Sequence, residues 1–150
     1  MRKEKSCGAV VYKWEGEALY FLLEHMVQGH VSLPKGHVEN DETEEETARR
    51  EIREETGLEV RLFMDFRRVI TYSPAQGVSK DVVFFLAEAL PGTMRRQESE
   101  VSDLWWLPYE EAVRALTFPS DRETITLARE KLRKMGRTDV QTKDANLKKT

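Results

Sequence analysis

From Thr43 to Thr56 the chain contains neither proline nor glycine, consists largely of helix formers, and runs straight into Gly57. Thr43 with Glu46 three residues later has the form of a capping box, so the spacing predicts a helix over about Glu44 to Thr56. Gly57 suits the left-handed residue just past a helix end, and Ala48 with Ile52, four apart, give the face that packs inward. On that helix Glu51 and Glu55 stand one turn apart with Glu54 beside them, which aims three carboxylates at one volume of space. Left unneutralised, they repel.

A helix rich in Glu and Arg is ordinarily a solvated, ion-paired face, and Glu44, Glu45, Arg49 and Arg53 fit that description. Ordinary surface charge gives no reason for the rest of the pattern: Gly36, Glu42, Arg50-Glu51-Ile52, Glu54-Glu55 and Gly57-Leu58 occur together at set spacing. Hard oxygen ligands of this kind suit Mg2+ or Mn2+, ions that keep several waters and take their remaining ligands from substrate phosphates. The segment therefore points to divalent-metal pyrophosphate chemistry.

Elsewhere the chain reads as strands and two shorter helices. Ser6 to Trp14 and Ala18 to Met26 are rich in β-branched and aromatic residues and flank Glu15-Gly16-Glu17, which predicts a hairpin. Glu59 to Thr71 alternates Val60, Leu62, Met64 and Phe66 with Arg61, Phe63, Asp65 and Arg67, the period of a half-buried strand. Asp81 to Ala89 is apolar on both faces and fits a central strand. Asp103 to Leu107 is a short strand, Pro108 opens a short helix to about Leu116, and Pro119-Ser120 with Glu123 reads as a second capped start. The last helix presents Ile125, Ala128, Leu132 and Met135 on one stripe that should pack on the sheet.

Length and composition bound the whole. At 150 residues and 39% hydrophobic content the chain supplies one well-packed domain, expected over residues 1–135. Residues 136–150 carry little apolar surface beyond Val140 and Leu147 and are expected to form a flexible tail. A net charge of −3 with both signs interspersed leaves no basic field for duplex nucleic acid. The single cysteine, Cys7, permits no internal disulfide and sits in an apolar run as a small hydrophobe. The N-terminal apolar stretch is too short and interrupted for a signal or membrane segment, so a cytoplasmic protein without a membrane partner is expected. No internal repeat is present.

The segment from Gly36 to Leu58 resembles the signature of the Nudix (MutT-like) hydrolase family, and every specified position of the box is matched. The resemblance implies an α/β (α+β) fold, an α/β/α sandwich with a mixed β-sheet, and cleavage of a nucleoside diphosphate linked to another group. It implies that Glu51, Glu54 and Glu55 bind Mg2+, with Mn2+ as the alternative ion, together with the Gly36 carbonyl. Glu51, Glu54, Glu55 and Arg50 are then the catalytic set, with Arg50 and Glu42 holding the loop against the helix.

Residues outside the box narrow the substrate. His30, Lys35 and His37 enter the glycine loop, and phosphate oxygens are natural partners for imidazole and ammonium groups; His30 and Lys35 are taken as substrate contacts and His37 stays undecided. Over about Ser6 to Leu132 the chain is similar to the asymmetric diadenosine tetraphosphate hydrolases. That similarity implies polyphosphate contacts from Tyr72 and Lys80, a fourth carboxylate ligand at Glu100 with Glu98 as its competitor, and an adenine stacked on Phe118. From the residues alone Phe118 reads as core. The loop before Lys35 departs from that subfamily, with Val31 and Leu33 where an aromatic and a second proline are usual. The expected reaction is Mg2+-dependent hydrolysis of diadenosine tetraphosphate to ATP and AMP by a monomer or weak dimer. The same box also serves 8-oxo-dGTP, RNA 5′ ends, nucleotide sugars and diphosphoinositol polyphosphates, and some members are non-catalytic nucleotide-binding modules.

Overall fold

Strand β1 (Arg2–Glu15) alternates two sets of buried side chains and thereby divides the interior in two. Cys7, Ala9 and Val11 face one cluster, Val10 and Tyr12 the other. This is the period-two geometry of a strand covered on both sides. The computed structural model describes residues 1–136, so the tail expected from the composition lies, from residue 137 on, outside the described residues.

Strands β2 (Ala18–Met26), β3 (Val31–Ser32), β4 (Lys35–His37), β5 (Val60–Tyr72), β6 (Val78–Ala89) and β7 (Val101–Leu107) complete a seven-stranded sheet with the path β3-β2-β1-β6-β5. β4 pairs with β1, and β7 pairs with β2. The β1–β6 pairing is parallel and the others are antiparallel, which makes the sheet mixed. Helix α1 (Glu44–Thr56) buries Ala48 and Ile52 against one face. Helices α2 (Tyr109–Ala115) and α3 (Pro119–Met135) bury Ala112, Ile125, Ala128 and Leu132 against the other. The result is the expected α/β/α sandwich. Full burial of Ile52 means that truncation to alanine would cost ~2–5 kcal/mol.

The predicted hairpin forms, with Glu15 opposite Ala18 and Gly16 at φ 58°, but β1 starts at Arg2 because its first residues pair in parallel with Val78 to Lys80 of β6. The alternation expected along β5 is broken. Phe63 pairs with Leu86 and Arg67 with Phe85, so Met64 to Phe66 bulge out of register. Leu62 consequently packs toward α1, Phe63 and Phe66 join the opposite cluster, and Met64 is exposed.

The start of the last helix also differs from the sequence reading. Phe118 is its N-cap without a side-chain bond, Pro119 is its first residue, and Ser120 lies inside it. Proline lacks the N–H that the first turn leaves unpaired and has a pre-set φ, so it takes the first helical position. Glu123 pairs with Arg68 of β5 instead of closing a cap.

Candidate functional site

Helix α1 begins as expected: Thr43 accepts from the Glu46 N–H, and Glu46 reaches back to the Thr43 N–H at 2.8 Å. It ends at Gly57, φ 77°, whose N–H donates to the Arg53 carbonyl. A side chain at Gly57 would collide with the Arg95 backbone, since the loop after β6 crosses there. That loop is tied to the helix end by Arg95 N–H to Thr56 O and Gln97 N–H to Glu55 O. It then carries Glu100 back beside β2, where the Glu100 carbonyl accepts from the Val27 N–H.

Arg50 organises the near side of the helix. Its guanidinium grips Glu42 through Nε at 2.6 Å and Nη2 at 3.0 Å, and Nη2 also donates to the His37 carbonyl at 2.9 Å. Nη1 bonds Glu51 at 2.8 Å and Glu54 at 3.2 Å. One planar fork thus joins the loop, β4 and two box carboxylates. Hydrogen bonding to Arg50, helped by the Glu39 N–H, holds the Glu42 carboxyl down at about 2.

Glu55 points inward. It is 4% exposed, accepts from the Lys35 N–H at 3.2 Å, and faces Glu24 of β2, which is 1% exposed. Burial raises both carboxyls, Glu55 the more because the neighbouring Glu24 and Glu51 disfavour its charge. Glu24 Oε2 has no hydrogen-bond partner among the described residues. Glu51 is also raised, by burial first, against the opposing pull of Arg50.

The box carboxylates Glu51, Glu54 and Glu55 open onto one polar cavity of about 600 Å³. Glu51, Glu54, Glu55 and Glu100 line it together with Gly36, and His30, Lys35, His37 and Lys80 line it as well. Glu98 lies in a separate depression beside Arg53 and Arg95. Burial and the neighbouring Lys35 lower the Lys80 ammonium, and burial and Lys80 lower the His37 imidazole. Crowded cations of this kind favour an anionic ligand.

The three box carboxylates share the cavity wall but do not meet at a point. Glu51 and Glu54 turn to Arg50 while Glu55 turns to Lys35 and Glu24, and among the described residues no three His, Cys, Asp or Glu side chains form a ready-made metal cluster. The donors account for the spread: Arg50 Nη1 holds Glu51 and Glu54, and the Lys35 N–H holds Glu55. The donor set still fits a hard cation: Glu51, Glu54, Glu55 and Glu100, with Glu39 on the same cavity and an orphaned buried acid oxygen behind them, are chemistry that Mg2+ or Mn2+ would satisfy.

A smaller apolar pocket of about 160 Å³ adjoins the cavity and shares Lys35 with it. Phe118 and Tyr72 line it, each 45% exposed, over a floor that includes Ile70, Val82 and Phe84. Phe118 is therefore not core; its ring lies 5.6 Å from that of His30. Tyr72 lies with Phe118 and not in the polar cavity, although its partner across the strands, Lys80, does reach that cavity.

Three residues escaped the sequence reading. Glu24 could have been found as the one acid within the apolar run of β2, on the face of Leu22. Gly8 could have been found as a lone glycine in a strand; a β-carbon there would sit 1.9 Å from the Pro34 carbonyl oxygen. Asp121, buried in the pocket wall, gave no signal, because an acid in a first helical turn reads as a partner of the helix dipole.

Comparison with known proteins agrees with this architecture. The NUDIX domain model matches residues 3–128. The chain is 32% identical over 133 residues to the bis(5′-nucleosyl)-tetraphosphatase [asymmetrical] of Mus musculus, covering 81% of this chain and 90% of that protein. It is 34% identical over 106 residues to a MutT4 protein of Mycobacterium tuberculosis, covering 69% of this chain but only 43% of that longer protein. Among solved structures, a C. elegans Ap4A hydrolase binary complex superposes with a TM-score of 0.74 at 25% identity, covering 86% of this chain and 99% of that one. With the box helix, the glycine strand against it and the mixed sheet all in place, the chain belongs to the NUDIX family and stands close to its Ap4A hydrolases.

Proposed function

We propose that the protein is a Mg2+-dependent hydrolase of nucleoside polyphosphates, with diadenosine tetraphosphate, split to ATP and AMP, as its substrate. The observation that carries this reading is the pairing of two adjoining cavities: one lined by five carboxylates and several cations, the other apolar and walled by Phe118 and Tyr72. A polyphosphate suits the first and a base the second, and base stacking on an aromatic contributes ~1–3 kcal/mol. The similarity to the mouse and nematode enzymes supports a dinucleoside substrate within that class.

Glu51, Glu54, Glu55 and Glu100 would hold the cation, with the Gly36 carbonyl completing the set. When bound, Mg2+ supplies charge neutralisation at phosphate and a lowered pKa for attacking water. Lys35, Lys80 and His30 bind and orient the polyphosphate chain. Water oxygen bonds to phosphorus as the anhydride P–O bond breaks, a box carboxylate accepts the water proton, and the leaving phosphate carries away the electron pair. Arg50 keeps Glu51 and Glu54 on the cavity wall. Among the described residues no helix is long and apolar enough to cross a membrane; the cytoplasm is the location proposed. A monomer or weak dimer, without duplex nucleic acid or membrane partners, completes the reading.

The test is turnover of diadenosine tetraphosphate, dGTP, ADP-ribose and triphosphorylated RNA in Mg2+, with products identified by chromatography. The expected result is ATP and AMP from the first, abolished in Glu54→Gln while the variant's melting curve stays cooperative. Faster cleavage of another substrate would reassign the chain within the family. Full activity in the variant would remove Glu54 from the metal site.

A further inference from the structure

We propose that the hydroxyl of Ser6 on β1 binds a phosphate oxygen of the substrate, where the carboxylate cavity and the apolar pocket join. The inference rests on the nucleotide reading above and adds to it a contact for the phosphate next to the nucleoside. Ser6 is 1% exposed and lines the polar cavity. Its hydroxyl makes no hydrogen bond among the described residues, and yet the oxygen is not sealed inside the protein. The small surface that Ser6 keeps therefore includes that oxygen, and the surface opens on the cavity. A hydroxyl both donates and accepts, so one left open in this way has its full capacity to offer a ligand.

Strand pairing decides what stands around it. Ser6 lies opposite His37 of β4 and Val82 of β6, and Gly8, two residues on, lies opposite Lys35. Paired residues, and residues two apart on one strand, share a face of a sheet, so Lys35, His37 and Lys80 project from the face that carries Ser6. Glu4, opposite Lys80, is engaged by Arg2 at 3.2 Å, and the side chains of Lys35, His37 and Lys80 make no hydrogen bond or ion pair among the described residues. A free hydroxyl beside two ammonium groups and an imidazole suits an oxyanion that presents several oxygens at once, as phosphate does. Val82 belongs to the wall of the apolar pocket, and Lys35 lines both cavities. A nucleotide with its base in the apolar pocket would therefore bring its first phosphate to Ser6, before the chain reaches the carboxylates.

The experiment is calorimetric binding of AMP, in Mg2+, to the full chain and to Ser6→Ala, with Mg2+ affinity and melting temperature measured on both proteins. Ser6→Ala should bind AMP roughly tenfold more weakly, because a hydrogen bond to a charged phosphate is lost. Its Mg2+ affinity should be unchanged, and its melting temperature should not fall, since the hydroxyl has no protein partner to lose. Unchanged AMP affinity in Ser6→Ala overturns the proposal and leaves the nucleotide reading intact. A loss of AMP binding matched by a loss of Mg2+ affinity or a fall in melting temperature also overturns it, as the mark of a merely structural role. The expected loss in a protein that hydrolyses no nucleotide would sustain the contact while defeating the hydrolase reading. AMP bound by neither protein would defeat the nucleotide pocket and the proposal with it.

Discussion

Gly36 of β4 lies so close to Glu51 of α1 that a β-carbon built on the glycine would stand 2.0 Å from the Glu51 carboxyl. The glycine is required by this approach, since its φ is not in the left-handed region. The obstructed group is the end of a flexible side chain, so Gly36→Ala should fold and displace Glu51. The expected outcome is a melting temperature within a few degrees of wild type with hydrolysis reduced at least tenfold. Retained activity at full rate would show that Glu51 need not occupy its present position.

Gly8→Ala should behave in the opposite way. Its β-carbon would meet the Pro34 carbonyl oxygen and the Lys35 backbone, which cannot swing aside. Overpacking against main chain costs ~1–3 kcal/mol or more. Urea denaturation should show the loss, in contrast to the near-neutral Gly36 variant.

Arg50→Lys tests the fork. A lysine keeps the charge but cannot bond Glu42 through two nitrogens while also reaching His37 O, Glu51 and Glu54. Partly buried carboxylates would be left short of donors, at a cost of roughly 1–3 kcal/mol measured by chemical denaturation. Activity should fall as well, and a variant equal to wild type in both would show the network to be dispensable.

Acid should loosen the helix from the sheet. The bonds of Glu42 to Arg50, and of Glu44 to Arg67 and Lys5, hold both carboxyls down at about 2, below the ordinary 4.5. Because the folded values are depressed, the stabilisation is present above pH 4.5 and is lost as pH falls through about 2. Unfolding curves should move to lower denaturant across that window, and Glu44→Gln should flatten the slope. A stability independent of pH below 4.5 would contradict these pairings.

Asp121 should show the reverse sign. Burial raises its carboxyl to about 6 from 3.8, against the opposing effects of Lys35, the Leu33 backbone and Arg122. A raised folded value means that its contribution is present below pH 3.8 and is lost as pH rises through about 6. Asp121→Asn should therefore be more stable than wild type at pH 8, by on the order of 2 kcal/mol, with no such advantage at pH 3.5. Parallel thermal melts at the two pH values decide it.

Elements governed by local rules were legible in the order of residues alone. The capping box of Thr43 and Glu46, the left-handed Gly57, the buried Ala48 and Ile52 and the apolar stripe of α3 all depend on neighbours within a turn or two, so spacing reveals them. The doubly buried β6 was legible for the same reason. Local rules failed where a distant partner intervened: the bulge at Met64 to Phe66 follows from pairing with β6, and the exposure of Phe118 follows from the pocket it borders. It took the packed fold to set Glu24 against Glu55, to draw Glu51 and Glu54 away from it through Arg50, and to bury Asp121 in the wall of the apolar pocket. Those contacts join residues on different elements, and the electrostatic cost of burying a charge is set by what the fold packs around it.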